Sequence, residues 1–89
     1  MAYTITRYEP TPNPNALKCW LEPPISAGPQ SFLSSDMAAD HVLAQKLFAA
    51  APITTLFFNG DWMTVNKAPN ASWTTVKKAV NTVLETATI

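Results

Sequence analysis

Two side chains in this 89-residue chain could serve as nucleophile or soft-metal ligand near neutral pH, its single cysteine, Cys19, and its single histidine, His41. A closed zinc or iron–sulfur site takes about four such ligands. One copy of the chain therefore cannot build one, and only a dimer sharing Cys19 and His41 from each copy could. Cys19 alternates with Leu17 and Leu21, which puts it on the inward face of a strand, where a free thiol behaves as a small hydrophobe. Its neighbours Lys18 and Trp20 point to the opposite face, so neither favours a thiolate. His41 follows Asp40, but adjacent residues on a helix point about 100° apart and form no catalytic pair. It reads as a solvated residue at a helix start. With only Gly28 and Gly60 as glycines, the chain has neither a phosphate-cradling loop nor a nucleophile elbow. The six acidic residues show no spacing that pairs them for acid–base work. The expectation is a protein that is not an enzyme and carries no metal or cofactor of its own.

Surface contact is the remaining chemistry. Alternation turns Trp20 and Lys18 away from Leu17 and Leu21, and Trp62 and Thr64 away from Met63 and Val65. Phe57 is likewise turned away from Leu56 and Phe58. Three large aromatics on one open sheet face exceed what a small monomer usually leaves bare. Trp20, Phe57 and Trp62 are therefore expected to form an apolar patch for a protein partner, or for a weak homodimer through that face. Six basic residues balance six acidic ones, so no strong field draws in nucleic acid or an anionic membrane. With 47% hydrophobic and 13% charged residues, the chain is too apolar to stay disordered. It shows no secretory signal and no stretch long enough to span a bilayer, which points to the cytoplasm.

The elements that must position this face follow from punctuation and period. Six of the eight prolines fall at or before position 29, so the early third is expected to be turns and short strands rather than helix. Tyr3 to Glu9 and Ala16 to Glu22 read as strands, joined by the rigid turn Thr11-Pro12-Asn13-Pro14-Asn15. Pro23 to Ser35 is loop, with room for a brief edge strand around Phe32. A helix starts between Ser35 and Asp40, carries Val42, Leu43, Leu47 and Phe48 as an apolar stripe, and stops before Pro52. Ile53 to Phe58 and Asp61 to Lys67 flank Asn59-Gly60, a two-residue hairpin signal. Ser72 caps a helix to about Thr86, with Trp73, Val76, Val80, Val83 and Leu84 on one face. The order ββαββα implies one α+β domain over residues 1–89. It is a two-layer sandwich, an antiparallel sheet of about four strands with two helices on one face.

The stretches Thr11-Pro12-Asn13-Pro14-Asn15-Ala16-Leu17-Lys18 and Phe57-Phe58-Asn59-Gly60-Asp61-Trp62-Met63-Thr64-Val65-Asn66-Lys67, with Leu47-Phe48 and Trp73, resemble the N-terminal domain of Nfu/NifU-type iron–sulfur scaffold proteins. The resemblance runs from about Ile5 to Leu84. It implies the same α+β sandwich and an accessory role in cluster assembly or delivery, in contact with a cluster scaffold or a recipient apoprotein. Iron binding enters by family association only. In the full-length proteins a Cys-x-x-Cys motif in a separate C-terminal domain holds the cluster, and this chain contains no such motif. Cys19 stands where the family usually has Phe, in keeping with a core role. Asn13, Asn15, Lys18, Asp61, Thr64 and Lys67 are carried over as candidate partner-binding residues. Each also has a structural reading. Asn13 and Asn15 would lock the turn, Asp61 would cap the hairpin, and Lys18 and Lys67 would be edge charges that discourage strand pairing. An interaction module outside the cluster pathway is the alternative role.

Overall fold

A computed structural model describes residues 3–87 of the chain. The first strand, β1 (Thr4–Pro10), turns through Thr11–Asn15 into β2 (Ala16–Glu22). That turn is tied by its own polar groups. The Asn13 Oδ1 accepts from the Asn15 amide at 2.9 Å, and the Thr11 hydroxyl donates to the Ala16 carbonyl at 3.1 Å. Then come β3 (Gln30–Phe32), a 3₁₀ turn (Ser35–Ala38), α1 (Val42–Ala50), β4 (Ile53–Asn59), β5 (Trp62–Lys67) and α2 (Trp73–Thr86). All neighbouring strands pair antiparallel, in the order β1-β2-β5-β4-β3. The α+β architecture matches the expectation, with β3 as a fifth strand. Three residues are too few to show a period, which is why only a brief edge segment was legible there.

Both helices lie on one face. Val76, Val80 and Leu84 of α2 and Ala44 and Leu47 of α1 form one core with Cys19, Leu21, Leu56, Phe58, Met63 and Val65 of the sheet. No helix among the described residues is long and apolar enough to cross a membrane.

Four local features differ from the sequence reading, one being that Ser72, at the N-cap position of α2, makes no side-chain cap hydrogen bond. The hairpin loop is Gly60-Asp61 rather than Asn59-Gly60, because Asn59 still pairs with Trp62. Of the two loop residues only Gly60 has positive φ, at 61°, the pattern of a type II′ turn rather than the type I′ that Asn-Gly favours. The first α-helix starts at Val42, after the separate 3₁₀ turn, so Val42 is 68% exposed and Ala44 takes its place in the core. His41 is not simply solvated. It is half-buried as the N-cap, its Nδ1 accepting from the Ala44 amide at 3.2 Å, and its ring meets Phe32 and Phe58 edge-on at 5.2 and 5.4 Å. An imidazole can supply the cap acceptor that Ser or Asp usually gives, while its carbon edge packs like an aromatic.

Candidate functional site

The candidate site is built across the middle of the sheet. β2 lies between β1 and β5, and β5 between β2 and β4. This register sets Trp20 opposite Trp62, and Thr64 opposite both Lys18 and Phe57. All five residues are half-buried, and alternation turns them from the helices, as expected. The Phe57 and Trp62 ring centroids are 5.4 Å apart at a tilt of 48°. The Lys18 ammonium lies 4.4 Å from the Trp20 centroid and 4.3 Å from that of Trp62. Ring faces carry negative quadrupole charge, so both indoles hold the cation while its stem covers apolar surface.

Two residues of this face were missed in the sequence. The Arg7 guanidinium sits 5.1 Å from the Trp20 ring, and Glu9 accepts from the Trp20 indole Nε1–H at 3.3 Å. Arg7 and Glu9 also form an exposed ion pair at 3.6 Å. Their alternation around Tyr8 was readable, but placing them beside Trp20 takes the β1–β2 register.

The remaining candidates lie elsewhere. Lys67 is no edge charge. It is 7% exposed on the helix side, donates to the Asn15 Oδ1 at 3.1 Å, and lies 5.5 Å from the Trp73 ring. Lys18 is no edge charge either, since β2 is an inner strand. Asn13 and Asn15 hold the β1–β2 turn, and the Trp73 Nε1–H donates to the Pro14 carbonyl at 2.9 Å. Asp61 is exposed at the hairpin loop and accepts through its main-chain carbonyl from the Leu21 amide at 2.7 Å. Together Asn15, Lys67 and Trp73 clamp the turn, β5 and α2 to one another.

Cys19 and His41 do not share a site. Cys19 is 2% exposed beneath α2, beside a cavity of about 10 Å³ lined by Leu17, Val65, Val76 and Val80. Burial pushes its thiol up to about 12, only partly opposed by the charge of Lys77. A thiol so shielded is neither a ready nucleophile nor a ready ligand. His41 stands at the head of α1 with its Nδ1 engaged in the cap. Among the described residues no group of three or more His, Cys, Asp or Glu side chains comes together to hold a metal ion.

Comparison with known proteins supplies the context for this geometry. The family model described as scaffold protein Nfu/NifU N terminal matches residues 5–88. The crystal structure of protein SAV1430 from Staphylococcus aureus is similar at a TM-score of 0.74 and 23% identity, covering 91% of this chain and 98% of that one. A NifU-like protein from Saccharomyces cerevisiae is similar at a TM-score of 0.76 and 22% identity, over 93% of this chain and 76% of that one. A Staphylococcus epidermidis protein shares the fold at a TM-score of 0.61 and 21% identity, over 89% and 92% of the two chains. At these identities the structures speak for the fold. The search of curated proteins finds no match.

Proposed function

Since this chain belongs to the family of Nfu/NifU scaffold N-terminal domains, we propose that it is a non-catalytic interaction domain of iron–sulfur cluster assembly or delivery. It works in the cytoplasm by docking on a cluster scaffold or a recipient apoprotein. The observation that carries the reading is the cluster of Trp20, Trp62, Phe57 and Lys18, held in fixed mutual contact on the sheet face away from the helices. Tryptophan and arginine are among the residue types that dominate protein–protein contacts, and this face carries Trp20, Trp62 and Arg7. Pre-ordering by cross-strand contacts lowers the entropy lost on binding. The cluster is cargo in this reading, and the partner supplies the cysteines that hold it.

The test is affinity capture from the native host with the wild-type chain and with Trp62→Ser. Recovery of cluster-assembly or cluster-receiving proteins by the wild type, and their loss with the variant, supports the reading. Capture that Trp62→Ser leaves unchanged, or of proteins unrelated to clusters, overturns it. Anaerobic supply of iron and sulfide should leave the chain colourless. A brown product that loses its colour in Cys19→Ser would instead establish a cluster held between two copies.

A further inference from the structure

The sheet face carries charge chemistry that its rings alone do not explain. Lys18 is the cation at its centre, lying against Trp20 and Trp62. Among the described residues the ion pair on this face is Arg7–Glu9, which leaves Lys18 without a carboxylate of its own. Lys18 has Thr64 directly opposite on β5 and Glu9 opposite on β1, and the Glu9 carboxylate is engaged by Arg7 and by the Trp20 indole. No side-chain nitrogen or oxygen is both buried and unbonded among the described residues, so the unbonded donors of Lys18, Thr64 and Trp62, all on half-buried residues, are not sealed from solvent. An ammonium and a hydroxyl side by side, bordered by an indole and a phenyl ring, form a receptor for a carboxylate next to an apolar group.

We propose that the segment docking on this face is an acidic stretch of a partner protein. An Asp or Glu carboxylate of that stretch takes Lys18 and Thr64, while an adjoining apolar side chain lies on Trp62 and Phe57. The inference rests on the docking role proposed above and adds the chemistry of the partner. A second copy of this chain fits less well. Face against face, each copy sets Lys18 and Arg7 against Glu9 and Glu22, but Glu9 is already engaged by Arg7 and the Trp20 indole and Glu22 lies at the far end of β2. Lys18 would be desolvated without a carboxylate beside it, which is costly. Single-stranded nucleic acid also fits less well. Bases stack on bare ring faces, and here Lys18 lies on both indoles and Arg7 on one of them.

Selection of short random peptides displayed on phage against the folded chain tests this. Enriched peptides should carry Asp or Glu beside a large apolar residue. Lys18→Gln, which removes the charge and keeps the first half of the aliphatic stem, should weaken them roughly tenfold, the scale of one lost charge-assisted hydrogen bond. Lys18→Glu should shift enrichment to Lys and Arg. Circular dichroism of each variant establishes that the fold is intact. Enriched peptides that lack acidic residues, affinity indifferent to Lys18→Gln, displacement of the peptides by oligothymidylate, or self-association abolished by Trp62→Ser would each overturn the acidic partner. If the native partner is lost with Trp62→Ser but kept with Lys18→Gln, the acidic partner falls and the docking role stands. If both variants keep it, both readings fall.

Discussion

Lys67 and Cys19 show how burial decides between chemistry and architecture at the scale of single residues. Lys67 is a sequence candidate for partner binding, yet its ammonium is spent on the Asn15 side chain and the Trp73 ring. Lys67→Ala should lower stability by about 2 kcal/mol through the lost charged hydrogen bond and the cavity left by the stem. Urea unfolding would measure this, and partner capture should be unchanged. Cys19 should resist iodoacetamide until the chain unfolds. Its thiol is raised from 9.0 to about 12, so the folded state holds the proton more tightly than the unfolded one. That stabilisation is fully present below about pH 9 and is lost as pH climbs toward 12, by at most about 1.4 kcal/mol per pH unit. Urea midpoints at rising pH would trace the fall, and a flat profile would show the thiol to be accessible. The sidedness of Trp20, Phe57 and Trp62 was legible in alternation alone. The contact of Lys18 with both indoles was not, because β2 and β5 are far apart in the chain and alternation does not say which strands pair. Alternation also put Lys67 on the same side as Met63 and Val65, and the ordinary preference of lysine for water concealed the meaning of that placement.

Punctuation and period located the two helices and four of the five strands, and the errors gathered where one element hands over to the next. The gap between β3 and α1 is one. Ser35, Asp36 and Asp40 all offered a cap, but the working cap is His41, chosen by its packing against Phe32 and Phe58. His41→Ala should cost about 1–2 kcal/mol, since it removes both the cap acceptor and the ring contacts. His41→Asn, which can restore the acceptor alone, should recover part of this in thermal melts. The β4–β5 loop is the other. A Cβ on Gly60 would meet nothing within 4 Å, so Gly60→Ala tests backbone conformation free of collision. Forcing alanine to a φ of 61° should destabilise by about 1 kcal/mol. The same loop anchors the segment after β2. The Gly60 carbonyl accepts from the Ile25 amide at 2.7 Å, and the Gly60 amide donates to the Ser26 hydroxyl at 3.2 Å.

The molecule as a whole is two-sided, with a dry layer between sheet and helices and a contact layer on the other face. Neighbouring residues on β5 expose the division. Met63, 0% exposed beneath the helices, should cost about 2–5 kcal/mol when changed to alanine. Trp62→Ser should cost only about 1–2 kcal/mol. Denaturant curves for the two, run beside partner capture, should show the larger loss of stability in one variant and the loss of association in the other. The same two-sidedness has a practical side. The Tyr3 amide donates to the Leu84 carbonyl at 3.0 Å, so the outset of β1 is fastened to the last turn of α2. A cross-link between these two points should therefore form with little distortion of the fold. A dye or surface tether at either point sits with the helical layer, leaving the indole-bearing side turned toward bulk solution for immobilised measurements.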